Sequence, residues 1–274
     1  MHDILAVTDD WRSWPANVRY AAALAARVGG TLTGLCAVPT LTQIFDVSSP
    51  SLLSELIEIA QEQAAAAYRA EAPFKAWAKD LGIHQSAWYV TKSSIDDALH
   101  QAVDWHDLLV LGREIETPWQ SVNDVGRLLL TVRLPFILIP PDSDGSVRLD
   151  TIAIAWNGSA ECLRALHAAL PLLRHAKKIV LIRNKSRDLV ASSDWGATVQ
   201  IDAYLGWHGL SAPLSTIEVD DDDGKYAVLA AAVQTSADML VMGAYGRPRF
   251  NEWLFGGATR HALEYARMPL FMRH

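Results

Sequence analysis

Two glycine-bearing stretches near the end of the chain decide its fold class: Gly243-Ala-Tyr-Gly246 and, after nine further residues, Gly256-Gly257-Ala258-Thr259. The apolar run Asp238–Met242 precedes the first stretch and predicts a buried strand, and His261–Ala266 follows the second and predicts a helix. A strand, a glycine loop and a helix start in this order favour phosphate binding, because glycines let the backbone approach an anion and a helix N-terminus attracts negative charge. The spacing differs from both the P-loop and the dinucleotide-binding pattern GxGxxG.

The same succession of elements occurs twice in the chain. Residues 3–8 form an apolar strand that ends at Asp9, and residues 150–156 form a similar strand that ends at Asn157. A helix is predicted after each strand, over Ala16–Val28 and Ala160–Leu173, because the apolar residues recur at helical spacing. Further matched segments are the strands Thr31–Val38 and Lys178–Arg183, the strands 106–112 and 237–243, the helices 127–132 and 261–266, and the strands 135–139 and 269–272.

Strands that alternate with helices of this length predict βαβ units and a parallel sheet. We therefore expect two repeated Rossmann-like α/β domains, over residues 1–143 and 147–274, each with a roughly five-stranded parallel sheet flanked by helices. The polar stretch 140–146 separates them. The middle of each repeat differs, with an alanine-rich helix predicted over Leu52–Ala72 and a helix around Thr198–His208.

Composition limits the classes of function. The 274 residues carry a formal net charge of −7, which disfavours non-specific binding to nucleic acid or to an anionic membrane surface. Only Cys36 and Cys162 are cysteines, which indicates thiols in a reducing compartment rather than a disulfide framework. No signal-peptide pattern and no apolar run of about 20 residues is apparent, so we expect a cytoplasmic protein without a membrane partner.

The residues alone predict a phosphate site in the second repeat. Backbone N–H groups near Gly243, Gly246, Gly256 and Gly257 would converge if both glycine stretches lie at the same sheet edge, and the Thr259 hydroxyl adds a donor. Arginines beside the loops suit bidentate phosphate contacts; these are Arg247, Arg249 and Arg260. The alternative is that the glycines serve turn geometry alone.

The spacing G-x2-G-x9-G resembles that of the universal stress protein family, whose members often bind ATP with this loop. The segments 155–159, 237–246 and 255–260 also look like family blocks, and the duplication resembles the tandem bacterial members. The resemblance implies the fold of the adenine nucleotide alpha hydrolases and a stress-response role. The chain departs from the pattern where Gly257 replaces the usual Ser or Thr and Asn157 replaces the usual aspartate.

In this family the residue at the end of the first strand contacts adenine or ribose, which implies that role for Asn157. Asn184 would present backbone to the base, and Met242 would line the adenine slot. Alternatively, Asn157 or Ser159 caps the following helix, and Trp156 packs in the core. The residues implied as contacts to ATP, ADP or AMP, with Mg²⁺ as an optional companion, are Ala155, Trp156, Asn157, Asn184, Met242, Gly243, Gly246, Arg247, Gly256, Gly257, Ala258 and Thr259.

The corresponding pattern in the first repeat is degenerate. Gly112 aligns with Gly243, but Ile115 stands where Gly246 would be, and Glu114 and Glu116 place negative charge where phosphates would lie. Gly126 falls near the position of Gly256, and Asp9 matches the family aspartate. We expect a structural partner, or a repeat that binds another ligand near aromatic residues that otherwise serve as core and rim packing; these are Trp11, Trp14, Trp77 and Trp88.

The motifs of other enzyme classes are absent: no Walker lysine, no G-x-S-x-G elbow and no Cys/His set with zinc spacing occurs in the sequence. His208 and His261 are the histidines expected nearest the site, and we assign no catalytic residue. We therefore predict a stress-response module that binds an adenine nucleotide in its second domain and regulates an unknown protein partner. The alternatives are a nucleotide-independent interaction module and a weak ATPase or a hydrolase of a phosphorylated small molecule. The family implies an intramolecular pseudo-dimer through Phe136–Ile139 and Leu270–Met272, and association of two chains stays open.

Overall fold

The computed structural model of the protein describes residues 1–38, 50–113, 122–184, 201–219, 226–245 and 257–274. The first repeat contains β1 (Asp3–Thr8), α1 (Ala16–Val28), β2 (Thr31–Ala37), α2 (Pro50–Arg69), α3 (Glu71–Asp80), β3 (Ser86–Thr91), α4 (Ile95–Ala102), β4 (Leu108–Gly112), α5 (Val122–Thr131) and β5 (Phe136–Ile139). The second contains β6 (Thr151–Trp156), α6 (Ala160–Leu173), β7 (Lys178–Asn184), α7 (Ile201–Trp207), β8 (Leu214–Val219), α8 (Ala227–Gln234), β9 (Met239–Gly243), α9 (Gly257–Tyr265) and β10 (Leu270–Arg273).

The chain divides into two compact units whose boundary does not follow the repeats. One unit contains 1–120 and 141–147, and the other contains 121–140 and 148–274. Helix α5 and strand β5, which end the first repeat in sequence, therefore belong to the second unit. The predicted domain limits, 1–143 and 147–274, stay a sequence-based prediction.

The strands of the first unit lie in the order β3-β2-β1-β4, and those of the second in the order β5-β10-β9-β6-β7-β8. In the second unit, neighbours from β10 to β8 are parallel, whereas β5 pairs antiparallel with β10, with Leu138 opposite Leu270 and Phe136 opposite Met272. The predicted two-repeat α/β fold is confirmed as a mostly parallel sheet with flanking helices, and this one antiparallel pair makes the sheet mixed. The two strands named by the family resemblance are the ones that pair.

The strands form where apolar residues run without interruption, because helices cover both faces of a parallel sheet. Residues 4–8 of β1 and residues 239–242 of β9 are all buried. Helix α1 ends at Gly29, whose φ of +67° allows its N–H to reach the carbonyl of Ala25. The predicted bounds of α1 and α6 match the structure at both ends.

The helix predicted over Leu52–Ala72 is present as α2, but its predicted C-terminal end is wrong, because α2 ends at Arg69 and a second helix, α3, begins at Glu71. Pro73 lies in the first turn of α3 and has no N–H to donate to the carbonyl of Arg69, so one straight helix cannot pass through this point. Within the described ranges, no helix combines the length and apolar character that crossing a bilayer requires.

Candidate functional site

The strand order of the second unit creates a crevice at the carboxyl ends of β6 and β9. From β6 the chain proceeds to β7 and β8 on one side and then crosses to β9 on the other side, where Ala155 lies beside Met242. Ligands of open α/β sheets bind beyond the carboxyl ends of the strands at such a reversal of direction. The turn after β6 and the segment after β9 are therefore the walls of the candidate site.

The turn after β6 is a tight, hydrogen-bonded connection. The Asn157 Oδ1 atom accepts a hydrogen bond from the Ser159 N–H at 3.0 Å, and Gly158 adopts φ +68°. The Ser159 hydroxyl in turn accepts from the Cys162 N–H at 3.2 Å, so Ser159 is the N-cap of α6. Asn157 is exposed and lies outside the helix, which excludes it as the cap. The Asn157 Nδ2 group makes no hydrogen bond to the residues that the structure describes and can serve a ligand.

Cys162 closes the floor of the crevice, and no sequence motif pointed to it. Its side chain is 2% exposed, and its Sγ donates to the carbonyl oxygen of Ala155 at 2.9 Å. Burial raises the pKa of the Cys162 thiol to about 11, although the backbone N–H groups of Asn157 and Gly243 approach the sulfur and oppose this shift. The thiol therefore stays protonated at neutral pH, and its hydrogen bond joins the end of β6 to α6.

Gly243 ends β9 directly beneath the first turn of α6. A Cβ atom added there would overlap the Cys162 nitrogen and would lie 2.6 Å from the Glu161 carbonyl carbon and 2.8 Å from the Cys162 Cα. Only glycine allows the helix to lie this close to the strand. The glycine thus has a packing role that does not depend on a ligand.

The backbone after Gly243 is already hydrogen-bonded. The Ala244 N–H donates to the Arg273 carbonyl at 2.9 Å, and the Ala244 carbonyl lies 3.0 Å from His274 Nδ1. The next residue, Tyr245, has a left-handed φ of +56°. The sequence predicts that N–H groups near Gly243 bind phosphate. Because the Ala244 N–H is engaged with Arg273, a phosphate at this strand end would depend on other donors.

Helix α9 follows β9 along the chain and begins at Gly257 rather than at the predicted His261. The N–H groups of its first turn have no intrahelical acceptor. Gly257 is exposed and Ala258 is half-buried, whereas Thr259 is only 6% exposed. Burial raises the pKa of the Tyr245 hydroxyl to about 12, and the charge of Arg260 opposes this shift, which relates the first turn of α9 to the segment after β9.

The other predicted contacts occupy different environments. Met242 is 4% exposed within β9, and Trp156 is half-buried at the end of β6, opposite Arg183 of β7. Asn184 ends β7 beside Val219. Three predicted residues lie outside the described residues: Gly246, Arg247 and Gly256.

The first repeat builds the same corner with a different side chain. Asn17, which is 3% exposed in the first turn of α1, donates its amide Nδ2 to the Val7 carbonyl at 2.6 Å. A Cβ added to Gly112 at the end of β4 would lie 3.4 Å from the Asn17 side chain, an ordinary contact distance. Asp9 is exposed at the end of β1. The expected placement of Gly126 before a helix is wrong, because α5 begins at Val122 and contains it.

Three of the four tryptophans considered for the first repeat form one aromatic cluster with Phe74. The rings of Trp14 and Trp77 stack with their centroids 5.7 Å apart, and the ring centroids of Phe74 and Trp88 lie 4.9 Å apart. Trp14 adopts φ +46°, and the Arg19 guanidinium donates to its carbonyl at 2.7 Å. Glu114, Ile115 and Glu116 lie outside the described residues, so the predicted repulsion of phosphate there stays a prediction.

The two histidines expected near the site take part in aromatic contacts. The ring centroid of His208 lies 4.5 Å from that of Tyr204, and the ring centroid of His261 lies 4.7 Å from those of both Tyr226 and Tyr265. Across the described ranges, no group of three or more His, Cys, Asp and Glu side chains is arranged to hold a metal ion.

The fold and the crevice define a duplicated α/β protein of the Rossmann-like type, and comparison with known proteins shows which family its second repeat matches. Residues 149–273 match the model of the universal stress protein family. A universal stress protein of Synechocystis sp. is 22% identical over 297 residues, which cover 98% of this chain and 99% of that protein.

Two crystal structures share the fold over nearly the whole chain. A universal stress protein from Archaeoglobus fulgidus has a TM-score of 0.66 at 15% identity, with 99% of this chain and 96% of that chain covered. A functionally unknown protein from Pseudomonas aeruginosa has a TM-score of 0.53 at 14% identity, with 98% and 91% covered. The family match covers the second repeat, and the two structures show that the fold extends over both repeats. Together with the whole-length relative, these findings support a tandem universal stress protein and, with it, a stress-response role.

Proposed function

We propose that the second repeat binds an adenine nucleotide, with ATP, ADP and AMP as the candidates and Mg²⁺ as a companion of the phosphates, at the carboxyl ends of β6 and β9. The observation that carries the proposal is the exposed amide of Asn157 directly after β6, beside β9 and at the reversal of strand order. Asn157 Nδ2 is available to a ligand among the described residues, and α9, whose first turn carries Arg260, follows β9 along the chain.

This arrangement suits the chemistry of a nucleotide. An amide can donate to and accept from a base or a ribose hydroxyl, although its oxygen is already engaged with Ser159 here. Free N–H groups at the start of α9 and the Arg260 guanidinium favour the negative charge of phosphates. Occupancy would then shift the population of surfaces offered to a protein partner, which makes the protein a ligand-responsive regulatory module.

The first experiment is to measure the nucleotide content of freshly purified protein after denaturation, by chromatography of the released small molecules. We expect about one adenine nucleotide per chain from this single-site proposal, and loss of it in Gly256→Glu, where a carboxylate repels phosphate. Gly206→Glu is the matched control, because Gly206 is exposed on α7 and a Cβ there meets open space. No nucleotide, together with no rise in melting temperature on addition of ATP and Mg²⁺, would refute the proposal.

One observation favours a second candidate, an interaction module that works without a nucleotide. The fit of α6 over Gly243 accounts for that glycine entirely by packing. Under this alternative, the glycines are retained for the fold, and millimolar adenine nucleotide leaves the melting temperature unchanged. The same nucleotide-content measurement therefore separates the two candidates.

A further inference from the structure

The two repeats use different side chains for one hydrogen bond at the end of the first strand. In each repeat, the carbonyl of the next-to-last residue of that strand accepts a hydrogen bond from a buried side chain in the first turn of the following helix. The donor is Asn17 Nδ2 to the Val7 oxygen at 2.6 Å in the first repeat, and Cys162 Sγ to the Ala155 oxygen at 2.9 Å in the second. We refer to Asn17 and Cys162 as the latch residues.

Each latch residue also lies against the glycine that ends the strand on the other side of the crevice. The Asn17 amide is 3.4 Å from the position of a Cβ on Gly112, and the Cys162 backbone is closer still to that position on Gly243. Both latch residues are almost completely buried, at 3% and 2% exposure. Because a buried donor without an acceptor is costly, each hydrogen bond resists separation of the helix from the strand.

The latch in the second repeat also restrains the turn that carries Asn157. The Asn157 side chain accepts a hydrogen bond from the Ser159 N–H, and the Ser159 hydroxyl accepts one from the Cys162 N–H and so caps α6. The side chain of Asn157 is thus tied to the first turn of α6. The direction of the Asn157 amide nitrogen depends on this turn staying seated.

We propose that Cys162 is a positioning residue for the ligand site of the second repeat and that Asn17 performs the equivalent task in the first. Each latch residue holds the first helical turn of its repeat against the two neighbouring strand ends. The part that concerns ligand affinity rests on the proposed nucleotide function. The part that concerns the order of the turn does not.

The test compares Cys162→Ala, which has no side-chain donor, with Cys162→Ser, which replaces the thiol donor with a hydroxyl donor, and uses Cys36→Ala as the matched control. Cys36 is the other buried cysteine, at 0% exposure in β2 of the first repeat. Nucleotide affinity is measured by titration calorimetry, and hydrogen exchange is measured for the amides of residues 157–159. Melting temperatures of all variants report general damage to the fold.

We expect Cys162→Ala to weaken nucleotide binding about fivefold, the equivalent of one ordinary hydrogen bond, and to speed exchange at residues 157–159. Cys162→Ser should retain most of the affinity and protection, and Cys36→Ala should leave both unchanged even where it lowers the melting temperature. Should Cys162→Ala fail to fold, Cys162→Val takes its place with the same expected outcomes, because valine fills the space of the thiol without a donor.

Unchanged affinity and unchanged exchange in Cys162→Ala would overturn the proposal. If the wild-type protein binds no nucleotide, the proposed function fails and exchange alone decides: faster exchange at residues 157–159 in Cys162→Ala supports the latch, and wild-type exchange overturns it. An equal effect of Cys36→Ala and Cys162→Ala would also overturn it, because a general loss of packing would then account for both.

Discussion

Replacement of Gly243 by alanine tests the close fit of α6 on β9. The added methyl group would overlap the Cys162 nitrogen and approach two further backbone atoms of the first helical turn, at 2.6 and 2.8 Å. Backbone cannot rotate away as a flexible side chain can, so we expect a cost at the upper end of the range for overpacking, about 3 kcal/mol. The free energy of unfolding should fall by that amount.

Gly112→Ala is the matched control, because Gly112 ends the equivalent strand β4 of the first repeat. The nearest atoms to its added Cβ belong to the Asn17 side chain at 3.4 Å, which is ordinary contact. Since alanine also loses less conformational freedom than glycine on folding, we expect a change between zero and a gain of about 1 kcal/mol. The two substitutions should therefore differ by at least about 3 kcal/mol, or roughly a hundredfold in the folding equilibrium.

The assay is equilibrium unfolding in urea, followed by far-ultraviolet circular dichroism at pH 7. Native-state hydrogen exchange then locates the loss, which should appear in α6 and β9. If Gly243→Ala were as stable as Gly112→Ala, the seating of α6 on Gly243 would be refuted, and the packing account of this glycine with it.

Three further outcomes are expected. Ser159→Ala should lower the free energy of unfolding by about 1 kcal/mol through loss of the α6 cap, and an unchanged urea midpoint would contradict the cap. The Thr31 hydroxyl donates a hydrogen bond to Asp3 and is the main cause that lowers the pKa of this carboxyl group, so Thr31→Val should raise that pKa in an NMR titration. Because the pKa is lowered in the folded protein, the stabilisation by Asp3 is present at neutral pH and fades as the pH falls below about 4. Burial raises the pKa of Cys36 to about 12 and that of Cys162 to about 11. Neither thiol should therefore react with a thiol reagent at pH 8 in the folded protein, whereas both should react in urea. Rapid reaction without urea would contradict their burial.

Much of the fold could be predicted because its strands and helices have a simple periodic pattern. A parallel strand covered on both faces needs an unbroken apolar run, and residues 4–7 and 239–242 provide it. Helices α1 and α6 have apolar residues at helical spacing, and their predicted bounds agree with the structure. The duplication reinforced each assignment, since one repeat supported the other.

Elements that depend on local exceptions or distant partners were predicted less well. The break between α2 and α3 follows from Pro73, although the alanine-rich pattern continues through it. Helix α5 begins earlier than expected and contains Gly126, because a single glycine does not end a helix whose apolar face is buried. The grouping of β5 with the second unit depends on its pairing with β10, a contact between segments far apart in sequence.

The candidate site shows the same division. The sequence by itself determined the repeat, the order of strands and helices, and the position of Asn157 directly after a strand, because these follow from periodicity along the chain. The start of α9 was predicted at His261, whereas the helix begins at Gly257. Only the tertiary structure decided that Gly243 lies beneath α6, that the Ala244 N–H is engaged, and that Cys162 and Asn17 donate equivalent hydrogen bonds in the two repeats. The physical reason is that close packing and hydrogen bonding of buried groups are set by neighbours in space. A cysteine and an asparagine share no sequence pattern that would reveal that they donate to equivalent carbonyl groups in the two repeats.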